Sequence, residues 1–400
     1  MDNRLHNATL GIWGYGISGK SLVRFLKTQD VALVVFDQRH LSEEDATLFD
    51  LHGIKFCSGE PQLFLDMCDY VIPSPGVDVR KFDAYKDKFI AELDLFQSFF
   101  TKPIIGITGT LGKTTVTGLV EKALDGVGIS VCAGGNIGIG LFDLIAQQDR
   151  VEYAVLELSS FQLELCKTFA PAVAVWTNFY PNHLDRHGDV KNYRTAKDKI
   201  CMSDRTHLIR PPLSLSGSYV IPQDGFEENW SLVISVLEHL GIKHDAISDI
   251  MLQLSSAQKL EHRLELVDVI DGITFINDSK ATVPEATLAA VKLYDPSRTI
   301  LLLGGLDKDI DRRPLLSQLS DVKIVICFGA QAEKLYKLCI EFGVAVMVCN
   351  TLEESFVVAC DVAQQGDTVL LSPSGSSFDL YKNYEERGIH FKKLVKEKNS

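Results

Sequence analysis

The segment from Pro103 to Leu124, PIIGITGTLGKTTVTGLVEKAL, constrains this chain more than any other stretch. A short apolar run (Ile104, Ile105, Ile107) gives way to glycines and threonines, and then to a helical pattern opening near Lys113. Strand, glycine-rich loop and helix in that order turn backbone N–H groups and a helix N-terminus toward an anion. Lys113 adds a point charge, and the Thr114 hydroxyl suits a Mg²⁺ ion. The glycines depart from the strict consensus, since Gly106, Gly109 and Gly112 form a G-x-x-G-x-x-G-K-T-T variant. The loop Gly109, Thr110, Leu111, Gly112, Lys113, Thr114 and Thr115 is therefore expected to hold nucleotide phosphates. A glycine-rich turn with a lysine there by chance is the alternative, and the flanking strand and helix weigh against it.

A net charge of −13 opposes non-specific nucleic-acid binding, which wants a basic face, while leaving room for local phosphate pockets. The nine cysteines are scattered without a C-x-x-C pair, so neither a zinc site nor a disulfide framework is suggested and a reducing cytoplasm is expected. The first residues are polar and lead into a strand, so no signal peptide is expected, and no apolar stretch is long enough for membrane insertion. With 400 residues the chain has room for two or three domains.

Three parts emerge, expected at residues 1–100, 101–296 and 297–400. The first opens with TLGIWGYGISGKSLVRFL, in which Gly14, Gly16 and Gly19 form a G-x-G-x-x-G, and a second strand ends at Asp37. Alone, that is the dinucleotide fingerprint, with Asp37 spaced for a ribose contact. A further strand ends in Ser74-Pro75-Gly76, where open α/β sheets bind ligands. In the middle part, apolar runs alternating with helical patterns predict a mainly parallel sheet. The turn Asp295-Pro296-Ser297 marks the second boundary, and three more strand–helix units follow. The expected class is α/β in three domains: Rossmann-like, phosphate-loop ATPase-like with a mainly parallel sheet, and Rossmann-like again.

Glu157 ends a buried strand and is a good candidate for a Mg²⁺ ligand, since that ion takes one or two carboxylates besides phosphate oxygens. His183, with Asp185 and Arg186 near it, follows another apolar strand and is expected at the same rim. Lys197, in NYRTAKDKI, reads by spacing as a surface lysine on a solvated helix. Asn277 to Thr282 form a donor-rich loop after a strand, and Ser372 to Ser377 with Lys382 form a similar one, for which a Ser/Gly-rich turn is also open. The common chemistry these features suggest is phosphoryl transfer, in which a protein mainly positions substrates and offsets charge.

The segments GITGTLGKTT, GGNIG, LELSSFQLE, TNFYPNHLDRHGD, YRTAK, LEHRLE, NDSKAT, LLLGGLDK and LSPSGSSFDLYKNYEERGIHF together resemble the Mur ligase family. They occur in the family's order over nearly the whole chain, and LELSSFQLE, HLDRHG and FDLYKNYEERG favour its D-glutamate-adding branch. The resemblance implies an ATP-dependent ligase of peptidoglycan precursor synthesis, joining D-glutamate to UDP-N-acetylmuramoyl-L-alanine through an acyl phosphate. It implies that UDP, not NAD, lies at Gly14, Gly16, Asp37, Gln38, Arg39, Ser74, Pro75 and Gly76. ATP would take Asn277 and Lys308 besides the phosphate loop, and Ser377 and Tyr384 would lie near the acceptor. Two Mg²⁺ ions are implied, one on Thr114 and Glu157, the other on His183 and a carbamylated Lys197, which overrides the surface reading of that lysine. Asn136 and His183 would flank the reacting carboxyl, with Lys113 and Lys197 beside them as catalytic residues. A monomer is expected. The chain departs from the family at Leu111, usually asparagine, at Val283, usually asparagine, at Gln331, often acidic, and at Tyr384, usually phenylalanine. The stretch from Lys197 to Glu261 is short for this branch.

Overall fold

The computed structural model describes residues 7–219, 221, 227–256, 261–306 and 310–398. Fifteen strands are named in chain order among them. β1 (Thr9–Trp13), β2 (Ala32–Phe36), β3 (Lys55–Cys57) and β4 (Tyr70–Pro73) form a parallel sheet in the order β3-β2-β1-β4. β5 (Ile104–Thr108), β6 (Val131–Gly135), β7 (Tyr153–Glu157), β8 (Val173–Trp176) and β9 (His207–Ile209) form a second parallel sheet, β6-β7-β5-β8-β9. β5 is buried along its whole length, as strands covered on both faces are. Its Ile105 and Ile107 pack toward the helices Lys113–Gly126 and Glu227–His239, and Ile104 toward the opposite face.

The third sheet is mixed. β10 (Glu265–Ile270) and β11 (Ile273–Asn277) pair antiparallel, while β12 (Thr299–Gly304), β13 (Ile324–Phe328), β14 (Val346–Val348) and β15 (Thr368–Leu371) are parallel. The order is β10-β11-β15-β12-β13-β14, and β11 hydrogen-bonds to β15 from Thr274↔Thr368 to Asn277↔Leu371. The boundary expected at Asp295–Ser297 therefore falls inside this domain, because β10 and β11 precede it yet belong to the third sheet.

The chain divides into two compact units, residues 1–179 with 191–256, and residues 180–190 with 257–400. Within the first unit the two parallel sheets share one core. Phe142 of the central domain lies 5.3 Å from Phe25 and 5.9 Å from Phe96 of the N-terminal domain, ring centre to ring centre. Arg24 clamps Asp143 through Nε and a terminal nitrogen at 2.9 and 2.6 Å.

The three sheets reverse their strand order beside β1, β5 and β12, so β4 lies against β1, β8 against β5 and β15 against β12. Such switch points open a crevice beyond the carboxyl ends of the paired strands. The loops after β1 and β5 are the glycine-rich ones singled out in the sequence.

Candidate functional site

The loop after β5 is held by the loop after β8. Thr110 N–H donates to the Asn178 carbonyl at 3.0 Å, and Leu111 N–H donates to Asn178 Oδ1 at 2.8 Å. Thr177 Oγ1 and Asn178 Nδ2 both donate to the Leu111 carbonyl. Leu111 is thus fixed through its backbone, which leaves room for a side chain other than asparagine. Gly109, at φ +140°, stands so close that a Cβ would lie 2.0 Å from Thr177 Oγ1. Gly112, at φ +80°, caps the helix that begins at Lys113. Lys113 Nζ donates to the carbonyls of Gly109 and Thr110 at 3.1 and 3.0 Å, so its ammonium sits over the loop. Thr177 and Asn178 were not singled out in the sequence, although they lie in the TNFYPNH stretch just past an apolar strand.

The ends of β6 and β7 lie on the same side of β5 in this sheet. Glu157, 2% exposed at the end of β7, accepts from Asn136 Nδ2 at 2.8 Å through Oε1. Its Oε2 is buried without a hydrogen-bond partner, as is Thr115 Oγ1. Asn136 reaches Glu157 because Gly135 lies against the strand, where a Cβ would be 2.4 Å from the Glu157 carbonyl. Immediately after Glu157, Ser159 and Gln162 form a reciprocal capping box at 3.0 and 3.2 Å, which accounts for much of the LELSSFQLE motif. An unpartnered buried carboxylate oxygen beside a lysine-bearing anion loop fits a hard divalent cation, and Thr114, Thr115 and Glu157 supply the oxygen donors such an ion takes.

Lys197 is not on the surface. It is 1% exposed, and its Nζ donates to the Gly109 carbonyl at 2.7 Å and lies 4.9 Å over the Tyr193 ring. Burial first, and Lys113 second, hold its ammonium pKa well below the ordinary lysine value, with Glu157 opposing. A lowered pKa favours the neutral amine, the form that reacts with CO₂.

The first domain holds a separate site within the same unit. Gly14, at φ +98°, donates its N–H to the Phe36 carbonyl at 2.7 Å, and a Cβ on Gly19 would lie 2.0 Å from the Gly14 carbonyl. Ser74 Oγ donates to that carbonyl at 3.0 Å, so Ser74 buttresses the loop after β1. Tyr15 N–H donates to Asp37 at 2.7 Å, and Arg39 grips the same carboxylate in a fork at 3.0 and 2.8 Å. Those bonds, the Arg39 side chain foremost, hold the Asp37 carboxyl far below the usual range. The dinucleotide reading needs Asp37 for a ribose, and Arg39 occupies both its oxygens. Gln38 is turned away, donating to the Gly59 carbonyl at 2.8 Å. A cleft of about 200 Å³ opens beside Tyr15, Lys20, Asp37, Arg39 and His40.

In the second unit, the loops after β11, β12 and β15 meet. Asn277 is fully buried, and its Nδ2 is engaged with His262 Nδ1 at 2.9 Å and Glu265 Oε2 at 3.0 Å, so it shapes its loop from below. Ser377 is 2% exposed, whereas the adjacent Phe378 is 70% exposed. Tyr384 opens the last helix, and its carbonyl accepts from Ser279 Oγ at 2.8 Å. Burial pushes Asp278 up to about 7, against a 2.8 Å bond from Ser372 Oγ. His183, at φ +54°, precedes a short helix in the 180–190 segment that groups with this unit. Lys308 lies outside the described residues.

Three family models match in succession: the MurD N-terminal domain over residues 9–81, the Mur ligase middle domain over 107–208, and the Mur ligase glutamate ligase domain over 262–375. A UDP-N-acetylmuramoylalanine–D-glutamate ligase of Desulfotalea psychrophila is 33% identical over 97% of this chain and 96% of its own. The chain belongs to the Mur ligase family. A second such ligase, of Pseudothermotoga lettingae, is 30% identical over 96% of this chain and 97% of its own. Among solved structures, a pseudomurein peptide ligase type C from Methanothermus fervidus matches with a TM-score of 0.60 at 16% identity, covering 98% of this chain and 100% of that one. A MurF ligase from Thermotoga maritima in complex with ADP matches at 0.58 and 16%, with full coverage of both. At that identity the likeness is one of fold, and it is the three-domain Mur ligase fold. No helix among the described residues is long and apolar enough to cross a membrane.

Proposed function

We propose that this Mur ligase adds D-glutamate to UDP-N-acetylmuramoyl-L-alanine with ATP, in the cytoplasm, as a step of peptidoglycan precursor synthesis. The observation that carries the reading is the cluster around the phosphate loop: Lys113 over its carbonyls, Glu157 with a free buried oxygen, and Lys197 as a buried amine. The matching D-glutamate ligases, aligned over nearly their whole length, supply the substrates.

In this reading the first domain binds the UDP moiety at the Gly14–Gly19 loop, Ser74-Pro75-Gly76 and Arg39. The substrate carboxylate attacks the γ-phosphorus of ATP, the bond to ADP breaks, and an acyl phosphate forms. The amine of D-glutamate then attacks the acyl carbon, loses a proton, and expels phosphate. Lys113 and the loop N–H groups stabilise the charge on the transferring phosphoryl group. Asn136 holds Glu157 in place. Thr114 and Glu157 would hold one Mg²⁺, and a carbamate on Lys197 would supply a ligand to a second. Such ions neutralise phosphate charge and polarise the oxygens they touch. Ser377 and Tyr384 are assigned to the acceptor side, and the protein is taken to act as a monomer.

The test is phosphate release from ATP with UDP-N-acetylmuramoyl-L-alanine, comparing D-glutamate with L-glutamate, D-alanine, L-lysine and no acceptor. Release that needs both the nucleotide substrate and D-glutamate is expected. Release with a different acceptor would reassign the specificity, and none with any acceptor would overturn the reading.

A further inference from the structure

The last helix, Tyr384–Lys398, sends one buried side chain between two of the loops of the C-terminal domain. Arg387 is 1% exposed. Its Nε donates to Ser279 Oγ at 2.9 Å and one terminal nitrogen to the Ser279 carbonyl at 2.7 Å. The other terminal nitrogen donates to the Gly375 carbonyl at 3.1 Å. Ser279 lies two residues beyond Asn277, and Gly375 two residues before Ser377. Ser279 Oγ, besides accepting from Arg387, donates to the carbonyl of Tyr384.

The same loops are stitched by backbone bonds. Ser374 N–H donates to Ala281, and Ser376 and Leu306 exchange N–H bonds at 2.9 Å, which draws in the loop after β12. A second buried arginine, Arg312, donates to the Gly305 carbonyl at 3.0 Å, and a Cβ on Gly375 would lie 2.3 Å from it. Ser374 holds φ +59°, a conformation that costs a non-glycine residue energy unless its surroundings enforce it. A guanidinium presents its donors in a rigid planar fork, so Arg387 fixes the spacing of Ser279 and Gly375 and not merely their proximity. Burial lowers its pKa to about 10, which leaves it charged at neutral pH.

We infer that Arg387 is a positioning residue that couples the loop carrying Ser377 to the loop carrying Asn277, so that the acceptor site and the nucleotide side of this domain are set as one piece. The inference rests on the proposed acceptor role of the Ser377 loop. Arg387 itself is buried beneath both loops, out of reach of solvent.

The experiment compares full-length wild type with Arg387→Lys, Arg387→Met and Ser279→Ala, by steady-state kinetics and by amide hydrogen exchange. Losing the charged bonds to one loop should raise the KM for D-glutamate by about tenfold or more in Arg387→Met, since such bonds are the strong ones. Arg387→Lys should fall between, because an ammonium satisfies one loop and not the fixed spacing of two. The KM for the UDP substrate should stay within about twofold of wild type, since these loops lie in another domain. Exchange should quicken together at residues 279–281 and 374–376, while β12 and β13 stay protected. A fall in kcat with unchanged KM for D-glutamate, or quickening at one loop alone, would overturn the coupling. Should Arg387→Met not fold, Ser279→Ala decides by the same two readouts. Should wild type release no phosphate with D-glutamate, the functional reading fails, and the exchange data still decide the brace.

Discussion

Gly109→Ala is the substitution whose effect follows most directly from the geometry. Gly109 sits at φ +140°, which an L side chain rarely adopts, and strain of that kind costs about 1–3 kcal/mol. The new Cβ would lie 2.0 Å from Thr177 Oγ1 and 3.1 Å from the backbone N and O of Asn178. Thr177 must turn away and give up its bond to the Leu111 carbonyl, a further loss of about 0.5–1.5 kcal/mol. Taken together, about 1.5–4.5 kcal/mol falls on the loop that is proposed to hold the ATP phosphates. If the loop opens to relieve it, kcat/KM for ATP drops by roughly 10- to 1,500-fold at about 1.4 kcal/mol per factor of ten. Phosphate release at varied ATP measures this, with KM for the UDP substrate as the internal control. Kinetics within twofold of wild type at an unchanged melting temperature would refute both the strain and the role assigned to the loop.

Glu157→Gln keeps the bond from Asn136 possible but removes the buried charge, so the Mg²⁺ concentration for half-maximal activity should rise by about 10- to 100-fold or more; an unchanged Mg²⁺ titration would remove Glu157 from the ion site. Lys197→Arg should abolish activity, since a guanidinium forms no carbamate, and wild type in ¹³C-bicarbonate should show a carbamate carbon resonance that the variant lacks. A resonance of equal intensity in both proteins would place the modification elsewhere. Glu92 is fully buried, and desolvation pushes its carboxyl up to about 7, the Ser18 hydroxyl pulling the other way. A raised folded-state pKa means stability present below about 4.5 and lost as pH climbs to about 7, so Glu92→Gln should gain up to about 3 kcal/mol over wild type at pH 8 relative to pH 4. Denaturant midpoints at the two pH values test this, and a difference that does not change with pH would count against it.

The phosphate loop was legible because its signals are local: glycines at forced backbone conformations, a strand before and a helix after. Glu157 was legible for a similar reason, as a carboxylate ending a wholly apolar run. Lys197 was not, because the polar face of NYRTAKDKI looks solvated until Tyr193 and the Gly109 carbonyl are brought over it by the fold. Asp37 had the spacing of a ribose ligand, and only the conformation of Arg39 shows its oxygens already engaged. The domain boundary was misplaced because a strand's pattern reveals its burial and not its partner, and β11 finds its partner in β15, far along the chain. Thr177 and Asn178 act through backbone groups of another loop, which no spacing rule anticipates.

The aromatic seam at Phe142, with Phe25 and Phe96 against it, also bears on how this fold can be rearranged. A seam of that kind is closer to the inside of one globule than to a hinge between two. Residues 1–100 are therefore a poor candidate for exchange as a cassette. A chimaera that took its N-terminal domain from a sibling ligase would leave Phe142 facing side chains shaped for another partner. Changes aimed at the proposed UDP site are better made in the loops after β1 and β4, at the rim, where they do not reach the shared interior.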